Sequence, residues 1–301
     1  MTVGRVTVLT NPASGHGGAS HAAERAIAQL NRRGVDVVAI AGTDADHARR
    51  LVEGALERGM DALVVVGGDG IVALALQVLA QTDIPLGIVP AGTGNDHARE
   101  FGIPTNDPEA AADVVVDGVA DTVDLGRIRG ADGTDRWFGT VMAAGFDSLV
   151  TDRTNRMRWP HGRMRYNVAM VAEISKLRLL PFRLTFDGEE LVTDLTLAAV
   201  GNTRSYGGGM LICPDADHSD GELDVTMVQS ASRAKLIRLF PTVFKGTHVE
   251  LDQVRTARAK VITLECATSP QITAYADGEF VCPLPVEVTA VPGALRILRP
   301  A

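Results

Sequence analysis

The stretch VVVGGDGIVALALQVL, Val64–Leu79, holds three kinds of chain in sixteen residues. A β-branched apolar run ends in glycine, a bare turn carries one carboxylate, Asp69, and an apolar helical run opens at Ile71. Strand, glycine turn and helix make a βα unit. Glycine lets backbone N–H groups approach a ligand closely, and a helix start favours an anion. Asp69 runs against that reading, because a carboxylate repels a phosphate unless a cation intervenes.

Working outward, the same alternation fills the first 125 residues. Strands are expected at Val3–Leu9, Val35–Ile40, Leu63–Val66 and Pro85–Val89, and helices at Ser20–Arg33, Ala45–Arg58 and Ile71–Ala80. Short β and α segments in turn imply right-handed crossovers and a parallel, Rossmann-like sheet. Two further glycine turns, NPASGHGG (Asn11–Gly18) and AGTGND (Ala91–Asp96), also follow strands. All three therefore fall beyond the strand C-termini, where ligands of such sheets bind. One such turn is as readily steric as functional; three on one edge favour a phosphate site.

After Asp124 strand-like runs dominate, at Trp137–Met142, Phe182–Phe186, Asp194–Val200, Leu223–Val228, Val261–Glu265, Gln271–Ala274 and Val286–Ala290. DGE turns at Asp187–Glu189 and Asp277–Glu279 punctuate them, with helices expected at Tyr166–Leu177 and Ser232–Phe244. The expected architecture is an α/β domain with a parallel sheet, residues 1–125, followed by a mostly antiparallel β-domain, residues 126–301. A cleft is expected between them, and the extreme C-terminus is expected to pack back on the first domain.

Composition narrows the class. A hydrophobic share of 46% marks a globular chain, and a net charge of -8 argues against wholesale nucleic-acid binding. Cys213, Cys266 and Cys282 are scattered and odd in number, which fits a reducing cytosol rather than a disulfide framework. The N-terminus reads as a strand rather than a signal peptide, and no apolar run approaches the ~20 residues that span a bilayer. Familiar alternatives fail on inspection. No lysine completes a Walker A loop, GHGGAS lacks the third glycine of a dinucleotide fingerprint, and no G-x-S-x-G elbow exists. The seven histidines form no ligand cluster; His16 and His21 flank a helix start.

NPASGHGG, GGDG, PAGTGNDHAREFGIP and VDLG resemble, in that order, the N-domain of the diacylglycerol-kinase-like lipid kinases. GNTRSYGGGMLICPDADHSDGELDV and YADGE extend the resemblance to nearly the whole chain. It implies an α/β nucleotide-binding domain joined to a mostly antiparallel β-sandwich, and transfer of the ATP γ-phosphate, with Mg²⁺, to a lipid hydroxyl such as that of diacylglycerol. Asn11, Pro12, Ala13, Ser14 and Gly15, with Gly67, Gly68, Asp69, Gly70 and Ile71, would hold the nucleotide, completed by Thr43 and Thr93. Because phosphoryl transfer relies on positioning and charge, Asp69, Asp96 and Asp124 are read as Mg²⁺-associated. A capping role for Asp96 and Asp124 stays open. The resemblance implies that Glu279, at the position assigned this task in the bacterial branch, is the base that takes the hydroxyl proton, with Asp69 aligning metal and hydroxyl. Asp69, the counterpart assigned in the sphingosine-kinase branch, stays open as the alternative base. It also implies a structural Mg²⁺ held by Asp217, Asp220 and the Glu222 carbonyl, against the simpler reading of an acidic surface turn. Homodimerisation has family precedent only.

The chain departs from the family in one place. Where GGDG-T-x-N-E is common, Ile71, Ala73 and Leu74 remove a hydroxyl and two polar side chains. One lost hydrogen bond to a charged acceptor costs about 1.5–3 kcal/mol, which weakens a site without abolishing it. An NAD-kinase-like phosphotransferase and a non-catalytic nucleotide- or lipid-binding regulator therefore remain alternatives. From Thr151 to Arg183, seven arginines and Lys176 face only Asp152 and Glu173, interleaved with Met157, Trp159, Leu179 and Phe182. That mixture suits peripheral docking of a cytoplasmic protein on an anionic leaflet, or an ordinary basic face over core.

Overall fold

The computed structural model describes residues 3–10, 18–145, 179–229, 233–266 and 272–301. The chain divides into two compact units, Met1–Asp124 with Pro292–Ala301, and Leu125–Val291.

The first unit begins β1 (Arg5–Thr10), α1 (Gly18–Arg32), β2 (Asp36–Ala41), α2 (Ala45–Arg58), β3 (Ala62–Gly67), α3 (Asp69–Leu79) and β4 (Leu86–Pro90). Two helices follow, α4 (Asp96–Glu100) and α5 (Pro108–Asp117). The strands lie parallel in the order β2-β1-β3-β4. Every residue of β3 is buried, as expected of a strand covered on both faces, and its near-continuous valine run is the sequence signature of that position. Helix α1 packs with α5 through an Arg25–Glu109 ion pair, with Arg33 just past the end of α1 pairing with Asp117, while α2 packs with α3. Helix α5 was not expected, yet its start is well marked: Asp107 accepts from the Glu109 and Ala110 N–H groups, and Pro108 opens the helix.

Strand β5 (Val119–Gly130) leads to β6 (Asp135–Phe138), β7 (Val141–Gly145), β8 (Leu180–Phe186), β9 (Glu189–Leu195), β10 (Leu197–Gly201) and β11 (Leu223–Val228). Helix α6 (Arg233–Val243) precedes β12 (Val254–Ala259), β13 (Val261–Cys266), β14 (Thr273–Ala276), β15 (Glu279–Pro283) and β16 (Val286–Arg299). In the second unit β16-β13-β8-β9 form one antiparallel sheet, and β12-β11-β10-β7-β14-β15 form another. Phe182, Leu184, Ile262 and Leu264 from the first sheet share a core with Met142, Ala198, Val225 and Ala274 from the second. This is an antiparallel β-sandwich. The end of β16 returns to the first unit, where Ile297 lies parallel to Leu86 of β4.

Two expected strands are each divided. Asp194–Val200 breaks at Thr196, so that β9 pairs in one sheet and β10 in the other. Trp137–Met142 breaks at Gly139–Thr140, where β6 ends and β7 begins. A run that stays apolar across a corner hides the corner, because both sheets bury their inner faces.

Candidate active site

The parallel register aligns Thr10 with Ala41 and Val66, and Gly67 with Pro90. Thr43, the Gly67–Gly70 turn and the Ala91–Asp96 turn therefore emerge at one end of the sheet. Asn11–Gly15 belongs to the same edge by sequence but lies outside the described residues. Thr43 is exposed, and its hydroxyl bonds Asp44 at 3.0 Å next to the N-cap of α2. A small cavity of about 230 Å³ between α1 and the ends of β1 and β2 is lined by Thr10, Ser20, Glu24, Ile27 and Ile40.

The two glycine turns are built against each other. A Cβ on Gly68 would sit 3.1 Å from Gly92 Cα, so both must be glycine for the backbones to meet. Asn95, held at φ 53°, brackets Gly92: its Oδ1 accepts the Gly92 N–H and its Nδ2 donates to the Gly92 carbonyl, each at 3.0 Å. Left-handed backbone is tolerated best by Asn and Gly, which is why GTGND reads as it does. Thr93 is exposed at the tip of this turn. Ile71 lies half-buried over Gly67, whose missing Cβ would be 2.9 Å from Ile71 Cγ2. Ala73 is buried on the same helix.

Asp69 begins α3 with its carboxylate turned toward α4. His97 approaches Asp69 Oδ1 through both its backbone N–H, at 3.3 Å, and its ring Nδ1, at 3.2 Å. Burial pushes the Asp69 carboxyl up, but the His97 contacts and the N–H groups of His97 and Asp96 outweigh it and hold the group below its usual range. The other oxygen, Oδ2, lies beside Gly94, 2.5 Å from where a Cβ would stand; Asp96 Oδ2 is 3.4 Å from the same point. Arg99 steadies Asp96 through a 3.0 Å bond to Oδ1 and also donates to the Gly94 carbonyl. Two carboxylate oxygens thus converge on a space kept open by glycine, a donor set that fits a hard cation such as Mg²⁺.

In the second unit Glu279 opens β15 immediately after the Asp277–Gly278 turn. Although Glu279 is exposed, loss of surrounding water raises its carboxyl above the usual value; Arg136 opposes that shift and Asp277 adds to it. A carboxyl raised in this way is suited to proton transfer.

Asp124 is 4% exposed, and its Oδ1 accepts the Gly293 N–H at 2.7 Å, which ties the returning C-terminal strand in place. In the acidic loop Asp217 Oδ1 accepts from the Ser219 N–H and hydroxyl, while Asp220 Oδ1 accepts from the Glu222 N–H. A cation of the protein itself also meets this loop. Arg258 contacts Asp220, Glu222 at 3.3 Å and Asp224 at 3.3 Å. Burial lifts the Asp224 carboxyl to about 6 against the pull of Arg258, helped by Asp220 and Asp215. Among the described residues no group of three or more His, Cys, Asp or Glu side chains is arranged to hold a metal ion.

Residues 5–128 match the family described as diacylglycerol kinase catalytic domain, and residues 140–299 match the YegS C-terminal NAD kinase beta sandwich-like domain. A diacylglycerol kinase of Mycobacterium tuberculosis is 68% identical over 299 residues, covering 99% of this chain and 96% of that one. The chain belongs to the diacylglycerol-kinase-like lipid kinase family. A Bacillus subtilis diacylglycerol kinase is 26% identical over 98% of this lipid kinase and 96% of its own length. In fold, the lipid kinase superposes on a diacylglycerol kinase structure from Bacillus anthracis with a TM-score of 0.75, at 21% identity, covering 99% and 98% of the two chains.

Several supporting residues of this lipid kinase were not singled out from sequence. His97 and Arg99 follow the GTGND motif directly, and that adjacency was the signal. Thr140, Asn202 and Arg258 gave none, since their partners are distant in sequence: Thr140 meets Asp277, Asn202 meets Gly139, and Arg258 meets Asp220.

Proposed function

We propose that this lipid kinase transfers the γ-phosphoryl group of ATP, with Mg²⁺, to the hydroxyl of diacylglycerol, giving phosphatidic acid and ADP. The reading rests on one observation above others: the Asp69 and Asp96 oxygens meeting at Gly94 beside a glycine turn and a helix start. The high identity to a mycobacterial diacylglycerol kinase supports the acceptor.

The Gly68, Asp69 and Gly70 N–H groups at the start of α3 donate to no backbone carbonyl of the described residues outside that helix and are placed to hold phosphate oxygens. Bound Mg²⁺ supplies positive charge for the phosphates. His97 keeps Asp69 ionised and oriented, and Arg99 orients Asp96 through its bond to Oδ1. Glu279 receives the acceptor's hydroxyl proton as the oxygen attacks the γ-phosphorus and the bond to ADP breaks. Positioning and charge carry such a reaction, so the apolar Ile71 lowers nucleotide affinity rather than removing activity.

An acceptor panel tests the proposal. Purified protein with γ-labelled ATP and Mg²⁺ is offered diacylglycerol, sphingosine, ceramide and NAD. Label in phosphatidic acid is expected. Label in NADP would instead favour the soluble-acceptor reading, for which the NAD-kinase-like description of the β-sandwich family is the specific support.

A further inference from the structure

Glu279 stands on a turn whose anchoring is buried. Asp277 and Gly278 both have positive φ, 50° and 80°, which turns β14 tightly back into β15 and leaves Glu279 as the first residue after the turn. The Asp277 side chain does not face solvent; the residue is 6% exposed. Its Oδ2 accepts the Gly139 N–H at 2.9 Å, and its Oδ1 accepts both the Thr140 N–H at 2.8 Å and the Thr140 hydroxyl at 2.6 Å.

Gly139–Thr140 is the corner at which the chain passes from β6 to β7, and it is clamped from its other side. Asn202 Nδ2 donates to the Gly139 carbonyl at 3.0 Å. The Asn202 and Thr203 N–H groups donate to the Thr140 carbonyl at 2.9 and 3.2 Å. Both N–H groups, both carbonyls and the hydroxyl of this corner are therefore engaged, by Asp277 on one side and by Asn202–Thr203 on the other. The first DGE turn provides an internal comparison. Asp187 and Gly188 have similar φ values, 50° and 97°, and Asp187 accepts the Lys260 and Val261 N–H groups at 3.0 and 2.8 Å. That turn is exposed and engages no hydroxyl. The same turn chemistry thus occurs twice, and only the second is locked into a buried polar network.

We infer that Asp277 is a positioning residue for phosphoryl transfer, fixing Glu279 against the Gly139–Thr140 corner that Asn202 holds from behind. This rests on the reading of Glu279 as the base. Charge adds a second consequence. Among the described residues, the charges acting on Glu279 are Arg136 of β6 and Asp277, of opposite sign. Neutralising Asp277 removes the one that opposes ionisation, so Glu279 releases its proton at lower pH.

Steady-state kinetics across pH on four variants test this. Asp277→Asn is expected to lower kcat by about ten- to a hundred-fold, since small misplacements of a reacting group cost that much. KM for ATP should stay within about twofold, and the acidic limb of kcat/KM should move to lower pH, which loss of packing alone does not do. Thr140→Val removes one bond without the charge. It should lower kcat by a smaller factor, with the limb unmoved. Asp187→Asn should match the wild type. Glu279→Gln separates the two claims: wild-type turnover in that variant overturns the base assignment and the inference with it. An inactive Glu279→Gln together with wild-type kcat and pH profile in Asp277→Asn and Thr140→Val overturns the inference alone.

Discussion

A carboxylate beside His97 and two backbone N–H groups stays ionised although protein surrounds it, and this explains why a phosphate-binding turn tolerates Asp69. Desolvation alone would raise its pKa; the His97 contacts and the backbone hydrogen bonds reverse the sign. Asp69→Asn keeps an oxygen for the His97 N–H but loses the charge, so turnover should fall by about two orders of magnitude or more with little change in Tm. Thermal melts and initial rates on one preparation check both halves of that expectation. His248 offers a separate test by pH. It is 3% exposed with its Nε2 3.1 Å from the Ile212 carbonyl, and burial lowers its pKa from 6.5 despite that bond. The unfolded chain then binds more protons than the folded one below about 6.5. Its contribution to stability is present above that pH and is lost as the pH falls through it. Urea titrations between pH 7.5 and 5 should show wild-type stability declining more steeply than that of His248→Gln.

Among elements, the glycine turns carry two demands at once. Gly68 and Gly92 allow two backbones to touch, while the helix start behind them offers N–H groups to an anion. Sequence alone separates these roles poorly, because glycine serves both. Gly68→Ala forces its Cβ against Gly92 Cα at 3.1 Å and should cost about 1–3 kcal/mol, read as a lowered denaturation midpoint. Helix α5 gives a milder check. Asp107→Ala removes the acceptor for two first-turn N–H groups and should cost about 1 kcal/mol in the same experiment. The divided strands show what pattern reading misses at this scale. Thr196 and Gly139–Thr140 lie within apolar runs, and no periodicity announces that the chain there changes sheets. The β3 valine run and the β8 alternation of Phe182 and Leu184 were legible because burial on two faces and on one face leave different patterns.

Across the whole molecule, the order of parallel and antiparallel elements and the family were readable, because ordered motifs such as GGDG, GTGND and YADGE are specific as a set. What joins distant residues was not: Asp124 with Gly293, Asp277 with Thr140, and Arg258 with three carboxylates are products of tertiary folding. No helix among the described residues is long and apolar enough to cross a membrane. Access to a lipid acceptor is proposed to use the basic, apolar-studded segment from Thr151 to Arg183, on its mixture of arginines and apolar residues; most of it, residues 151–178, lies outside the described residues. Neutralising Arg156, Arg158, Arg163 and Arg165 together should weaken binding to phosphatidylglycerol-containing vesicles; unchanged binding would remove that proposal. The most direct test of the account is label transfer from γ-labelled ATP to diacylglycerol in mixed micelles with Mg²⁺. Rapid formation of labelled phosphatidic acid by the wild type, and its near-complete loss in Asp69→Asn and Glu279→Gln, is the predicted result. Absence of labelled phosphatidic acid from folded, ATP-binding wild-type protein would contradict it.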